Sequence, residues 1–163
     1  MVRKLIPLLL VALLLPALSA LAVEPGSPAP DLSLKTLDGK VVHLSDFKGR
    51  PILLKLATTW CPTCRQQGEE ILSIGDFLAK NDVMVVEVFV EDSPQMVQDY
   101  LKGRHATMPD TVLMDDGSAV KAYNVFLIPR TILIDRNFIV RRDGSLMPAS
   151  ELESAIKKIL AEK

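Results

Sequence analysis

Cys61 and Cys64 are the only cysteines of the chain, and two residues separate them. A nearly continuous apolar run, residues 52–57, precedes the pair, and a polar stretch, residues 65–70, follows it. This pattern predicts a buried strand, a tight turn and a helix that begins at Cys61. Unpaired backbone N–H groups and the helix dipole favour a thiolate at such a position. We therefore expect the two sulfur atoms to form and break a disulfide in thiol–disulfide exchange.

Three other chemistries fit the two cysteines less well. A purely structural disulfide would close a loop of only four residues, for which the chain-entropy stabilisation is about 2 kcal/mol. A zinc site needs about four ligands, and His43 and His105 do not have the spacing of a zinc finger. Covalent haem attachment requires a histidine directly after the second cysteine, where this chain has Arg65.

Residues 1–22 are predicted to be a signal peptide. Arg3 and Lys4 give a positive start, residues 5–18 are overwhelmingly apolar, and residues 20–22 carry the pattern of a cleavage site. An uncleaved membrane anchor is the alternative, because the apolar run approaches the length that spans a bilayer. Export would place the cysteines in the periplasm or another extracytoplasmic compartment, where disulfides persist.

Cleavage would leave residues 23–163, about 141 residues (163 − 22), which is enough for one domain with a hydrophobic core. Without Arg3 and Lys4, 17 of the 19 basic side chains remain against 20 acidic ones, a formal charge of −3. This mild acidity gives no electrostatic basis for binding nucleic acid. We expect no metal and no cofactor other than the redox-active disulfide Cys61–Cys64.

Hydrophobic periodicity predicts that strands and helices alternate along residues 23–163. The predicted strands are residues 31–34, 40–44, 51–57, 83–90, 111–114, 131–134 and 138–141, and the predicted helices are residues 61–80, 93–102, 118–123 and 148–161. Strand–helix–strand units imply parallel pairing, whereas the first two and the last two strands are close enough to form hairpins. A central mixed sheet flanked by helices on both faces is an α/β, thioredoxin-like fold, here with an N-terminal β-hairpin extension.

A set of motifs follows in a characteristic order along this domain. They are Pro28-Ala29-Pro30-Asp31, Asp38-Gly39-Lys40, Leu44-Ser45-Asp46-Phe47-Lys48-Gly49, Trp60-Cys61-Pro62-Thr63-Cys64-Arg65, Tyr123-Asn124-Val125 and Ile128-Pro129. The ordered set resembles exported thioredoxin-like proteins of the TlpA/ResA type over essentially the whole domain. The resemblance implies a thiol:disulfide oxidoreductase that reduces envelope protein disulfides, as in cytochrome c maturation, and that receives electrons from a membrane donor. We expect a monomer.

The resemblance also implies roles for individual residues. Cys61 would attack a substrate disulfide, and Cys64, one helical turn later, would resolve the mixed disulfide. A cis peptide bond is expected at Ile128–Pro129, facing the cysteine pair. The predicted substrate-binding residues are Trp60, Pro62, Thr63, Ile128, Pro129 and Arg130.

Three positions depart from the TlpA/ResA pattern. Lys55 stands where Asn or Asp is common, and its charge would either favour the Cys61 thiolate or pair with Glu87 on the neighbouring strand. Gln67 stands where Glu often assists proton transfer to the buried thiol, and an amide cannot act as a base. Arg130 replaces a small hydroxyl residue, which predicts a more basic docking surface. Lys55 and Gln67 are therefore candidates for tuning the protonation of the cysteines.

Two further functions fit the same residues. Peroxiredoxins share the thioredoxin-like fold, and Thr58 stands three residues before Cys61, as in thiol peroxidases. The Trp60-CxxC loop nevertheless fits disulfide exchange better. Two neighbouring thiolates also suit Cu(I), so a non-enzymatic copper carrier is the third hypothesis.

Overall fold

A mixed sheet of seven strands forms the centre of the computed structural model, which describes residues 23–162. The strands are β1 (Ser33–Thr36), β2 (Val41–His43), β3 (Ile52–Ala57), β4 (Met84–Phe89), β5 (Asp110–Met114), β6 (Arg130–Ile134) and β7 (Val140–Gly144). Their order across the sheet is β2-β1-β5-β4-β3-β6-β7. Within it, β3 pairs with β4, and β4 with β5, in parallel, and the other neighbouring pairs are antiparallel. The predicted thioredoxin-like fold and its N-terminal hairpin are confirmed, whereas the predicted signal peptide lies outside the described residues.

Helices cover both faces of the sheet. They are α1 (Pro62–Ser73), α2 (Gly75–Lys80), α3 (Pro94–Leu101), α4 (Ser118–Ala122) and α5 (Ala149–Ala161), and a 3-10 turn spans Leu44–Phe47. Between residues 23 and 162, no helix combines the length and the apolar character that crossing a bilayer requires.

The helix predicted for residues 61–80 is divided at Ile74. This residue ends α1 and precedes α2, with φ −108° and ψ 18°. A Cβ atom on the next residue, Gly75, would lie 2.5 Å from Thr107 Oγ1. The close approach of the loop that carries Thr107 therefore requires a glycine at this point.

The central strands β3 and β4 are buried along their whole length. One face of the sheet packs against α4 and the residue that follows it, in a cluster that includes Ile52, Leu54, Leu56, Leu34 and Tyr123. The opposite face packs against α1, α2 and α5, through residues that include Leu53, Ile71, Leu78, Leu152 and Ile156. Because side chains alternate along a strand, Lys55 lies on the same face as Leu53, beneath α1.

The last hairpin differs in detail from the prediction. Its second strand was expected at residues 138–141, but β7 begins at Val140. Phe138 has a left-handed backbone, with φ 67°, which a strand residue does not adopt. The Asp135 carboxylate also accepts hydrogen bonds from the N–H groups of Asn137 and Ile139, at 2.9 Å each, so these residues form a turn.

Candidate active site

Cys61 is the N-cap residue of α1, at the point where the chain leaves β3. Its backbone is extended, with φ −80° and ψ 120°, and Pro62 follows as the first helical residue. Proline suits this position because its missing N–H would have no partner within the helix. The Sγ atom of Cys61 accepts a hydrogen bond from the N–H of Cys64 at 3.3 Å. The predicted placement of Cys61 at a helix N-terminus is therefore confirmed.

Cys64 lies one turn further along α1 and is only 1% exposed, whereas Cys61 is partly accessible to solvent. Burial raises the pKa of Cys64 to about 12, and the neighbouring Cys61 raises it as well. A hydrogen bond from the Thr58 backbone and the positive charge of Lys55 act in the opposite direction. The two sulfur atoms thus differ in access, and Cys61 is the more accessible of the two.

Hydrogen bonds fix the loop that joins β3 to Cys61. The N–H and the hydroxyl of Thr59 both donate to the Asp92 carboxylate, at 2.8 Å each. Arg65 Nε donates to the Thr59 carbonyl at 2.8 Å, so α1 also holds this loop. Trp60, directly before Cys61, remains 54% exposed. The sequence contains no pattern that would have revealed the role of Asp92, because this residue lies 33 positions from Thr59.

The Ile128–Pro129 peptide bond is cis, as the TlpA/ResA resemblance predicted. Pro129 directly precedes β6, and Arg130 of β6 pairs with Leu56 of β3 in antiparallel register. Pro129 therefore lies at the same end of the sheet as the loop that leads from β3 to Cys61.

Phe126 and Leu127 are large apolar residues that the structure leaves 90% and 79% exposed. Beside them is a groove of about 250 Å³, lined by Asn124, Phe126, Leu127, Pro129, Arg130, Asp143, Gly144 and Ser145. This apolar pair is not among the binding residues predicted from the sequence. The feature that could have indicated their exposure is that both lie in a segment without helical or strand periodicity, between α4 and Ile128.

Arg130 lines this groove, but its charge is compensated. Its guanidinium forms an ion pair with Asp143, in which Nε donates to Oδ1 at 2.9 Å. The same guanidinium donates to the carbonyl oxygens of Tyr123 and Asn124. The expectation that Arg130 makes the docking surface more basic is therefore wrong, because Asp143 neutralises it and both groups are largely buried.

Gln67 is fully buried and joins α1 to the segment before α5. Its Nε2 donates to the Met147 carbonyl at 3.1 Å, and its Oε1 accepts from the Met147 N–H at 2.6 Å. Glu70, on the same helix, accepts a hydrogen bond from the Ala149 N–H at 2.8 Å. Both side chains thus form hydrogen bonds with backbone groups at the start of α5. The Gln67 amide therefore helps to hold α1 against this segment.

Lys55 is 1% exposed, and its Nζ lies 2.6 Å from Glu87 Oε2. Arg104 pairs with the other oxygen of the same carboxylate. Burial alone would raise the pKa of Glu87, but the charges of Lys55 and Arg104 hold it below its usual value. The predicted pairing with Glu87 is confirmed. The charge of Lys55 also acts on Cys64, where it opposes part of the rise in pKa that burial causes.

A cysteine at a helix start, a buried partner one turn later and a cis-proline at the same sheet end define a thioredoxin-like dithiol protein. The Redoxin family profile matches residues 24–156, so the chain belongs to the Redoxin family.

Relatives with similar sequences include two bacterial proteins. The thioredoxin-like protein YneN of Bacillus subtilis (strain 168) is 31% identical over 121 residues, which cover 73% of this chain and 70% of YneN. The thiol-disulfide oxidoreductase ResA of Geobacillus kaustophilus (strain HTA426) is 31% identical over 121 residues, covering 74% and 69%. A crystal structure of a candidate thiol:disulfide interchange protein DsbE from Chlorobium tepidum has a TM-score of 0.76 at 29% identity, covering 86% of this chain and 100% of that one.

Replacing Gln67 should destabilise the reduced protein. Gln67→Ala leaves the buried N–H and carbonyl of Met147 without partners, and each such group costs about 1–3 kcal/mol. We expect the free energy of unfolding in urea to fall by about 3 kcal/mol in total. Gln66→Ala, on the exposed side of α1, is the matched control and should change it by less than about 0.5 kcal/mol. Equal effects of the two substitutions would contradict this role for Gln67.

Proposed function

We propose that this protein is an exported thiol:disulfide oxidoreductase that reduces disulfide bonds of other proteins in the cell envelope. The observation that carries the proposal is the geometry of the cysteine pair. Cys61 caps α1 and is accessible, whereas Cys64 is buried one turn away and donates its N–H to the Cys61 sulfur. The ResA and DsbE names of the relatives support the same activity.

The reaction takes place in two exchange steps. In the first, the Cys61 thiolate attacks one sulfur of the substrate disulfide, a mixed disulfide forms, and the other substrate sulfur leaves as a thiolate. In the second, Cys64 attacks the Cys61 sulfur, the bond to the substrate breaks, and the Cys61–Cys64 disulfide forms. Helix N-terminal N–H groups stabilise the Cys61 thiolate that attacks in the first step.

Substrate docks along the end of the sheet that carries Trp60 and the cis-proline loop. The exposed ring of Trp60 and the exposed pair Phe126 and Leu127 supply apolar contact area, which is typical of protein interfaces. Pro62, Thr63, Ile128 and Pro129 provide backbone and side-chain surface close to the reacting sulfur.

The N-terminal sequence and the relatives support a location and a direction for the reaction. The basic and apolar character of residues 1–22 supports export to the periplasm or another extracytoplasmic compartment. There the protein acts as a monomeric reductant of apo-cytochrome c or other envelope disulfides, and a membrane protein returns electrons to Cys61–Cys64. The Vibrio cholerae thiol:disulfide interchange protein DsbE, 30% identical over 120 residues, supports thiol–disulfide exchange as the reaction.

Removing the resolving cysteine should trap the first intermediate. The Cys64→Ala protein, mixed with an oxidised peptide that carries a Cys-X-X-Cys-His disulfide, should form a stable adduct through Cys61, seen by mass spectrometry and lost on reduction. Cys61→Ala is the matched control and should form no adduct, because Cys64 is buried. If Cys64→Ala traps nothing and the wild type reduces no disulfide, the proposed function is wrong. Peroxide consumption by the reduced wild type would instead favour the peroxidase.

The apolar pair beside the cis-proline should matter only for large substrates. Phe126→Ser with Leu127→Ser removes apolar area that a docked protein would bury, at roughly 25 cal/mol per Å². We expect kcat/KM for a protein disulfide to fall about tenfold or more, which corresponds to about 1.4 kcal/mol. The rate with a small aromatic disulfide should not change, because that reagent contacts only the sulfur. If the rates with both substrates fall equally, Phe126 and Leu127 affect the exchange reaction itself and not the docking of a protein substrate.

A further inference from the structure

We propose that Lys55 is a positioning residue for the second exchange step: its buried ammonium, held beneath α1 by Glu87, stabilises the Cys64 thiolate as that sulfur attacks the mixed disulfide. The inference rests on the proposed function, because the second step exists only if Cys61 first forms a mixed disulfide.

A row of polar side chains crosses the centre of the sheet beneath α1. Lys55 of β3 lies directly opposite Glu87 of β4 and Thr131 of β6. All three are at most 1% exposed. Hydrophobic residues of similar volume often stabilise a core as well as a buried ion pair does, so stability alone does not explain this row.

Gly68 lets the Lys55 ammonium approach α1 on the side of the helix that carries Cys64. Gly68 lies four residues after Cys64, so the two residues occupy the same side of the helix. A Cβ atom on Gly68 would lie 3.2 Å from Lys55 Nζ and 2.9 Å from Tyr100 Oη. Glycine inside a helix costs about 1 kcal/mol relative to alanine. Here it opens the space into which the ammonium and the Tyr100 hydroxyl reach.

Two cations, Lys55 and Arg104, meet the buried carboxylate of Glu87 beneath α1. Lys55 and Arg104 both pair with Glu87, one with each carboxylate oxygen. Nε and Nη1 of Arg104 are buried without a hydrogen-bond partner in the part of the chain that the structure describes. Asp110 also faces Arg104, so the positive charge that acts on Cys64 is that of Lys55.

The titratable groups around Cys64 come from several elements. Cys61 faces it from the start of α1, and Lys55 faces it from β3. The next layer consists of Glu87 of β4, Tyr100 of α3, Arg104 of the loop that follows α3, and Asp110 of β5. Asp110 is exposed, so water screens its charge. Lys55 is thus the cation of this set that acts on Cys64 directly.

The side chains near Cys64 are poorly suited to removing its proton. The pKa of Glu87 is held below its usual value by two cations, although burial alone would raise it, so this carboxylate is a weak base. Gln67 is an amide whose polar atoms both bind the Met147 backbone. A fixed cation favours the thiolate without requiring a base.

The proposed step balances without a further reactant. Cys64 loses its thiol proton, its thiolate attacks Sγ of Cys61, and the bond between Cys61 and the substrate sulfur breaks. The substrate sulfur leaves with the bonding electron pair and takes up a proton. Over both steps, two electrons pass from the protein to the substrate disulfide.

Stopped-flow reaction with 5,5′-dithiobis(2-nitrobenzoate) separates the two steps, because each releases one thionitrobenzoate. Lys55→Met and Glu87→Gln both break the 2.6 Å ion pair, but only Lys55→Met removes the cation. We expect Lys55→Met to slow the second release about threefold or more. One unit of pKa changes the thiolate population about tenfold, and a more basic thiolate is a better nucleophile, which offsets part of the loss. Glu87→Gln should leave the second release as fast as in the wild type or faster.

An effect of charge and an effect of packing predict different rankings of the variants by the rate of the second release. Lys55→Arg keeps the cation in a bulkier side chain and should retain more of the second-phase rate than Lys55→Met. Equal slowing by Lys55→Met and Glu87→Gln, or a slower reaction with Lys55→Arg than with Lys55→Met, would overturn the proposal.

Two checks keep the outcomes distinct. If a single variant does not fold, as judged by circular dichroism, the double variant Lys55→Met/Glu87→Leu removes both charges and must show the same slowing. If this double variant releases the second thionitrobenzoate as fast as the wild type, Lys55 does not have the proposed role. If the wild type releases only one thionitrobenzoate, the second exchange step does not occur, and the proposed function is wrong as well.

Discussion

The two sulfur atoms of this protein lie one helical turn apart but differ greatly in their access to solvent, and the chemistry depends on that difference. Cys61 occupies the N-cap of α1, where its sulfur accepts the Cys64 N–H at 3.3 Å. Cys64 is inside the protein, and burial raises its pKa to about 12. In the proposed reaction a disulfide partner therefore meets Cys61 first, and Cys64 acts only after Cys61 has bonded.

The rest of the fold maintains this arrangement. The buried strand β3 delivers the chain to the helix start, and Asp92 and Arg65 hold the intervening loop through Thr59. Gln67 and Glu70 attach α1 to the start of α5 through backbone groups of that segment. These hydrogen bonds tie α1 to the loop after β3 and to the start of α5, and they do not involve either sulfur atom.

The sequence was sufficient to predict the fold and the placement of the cysteine pair at a helix start, because both leave local patterns. Apolar runs mark β3 and β4, and the CxxC motif between a strand and a polar segment marks the start of α1. Long-range pairings leave no such pattern. The Arg130–Asp143 pair joins two antiparallel strands, and Gln67 meets Met147 across 80 positions, so neither contact could be read from periodicity. The exposure of Phe126 and Leu127 likewise depends on the folded loop.

Redox equilibration with glutathione, followed by mass spectrometry and by tryptophan fluorescence of Trp60, tests the reversible pairing of Cys61 and Cys64 most directly. We predict one two-electron transition between the dithiol and the intramolecular disulfide at a defined ratio of reduced to oxidised glutathione, with folded protein on both sides of it. Accumulation of glutathione adducts at Cys61 without ring closure, or unfolding of the oxidised form, would contradict it.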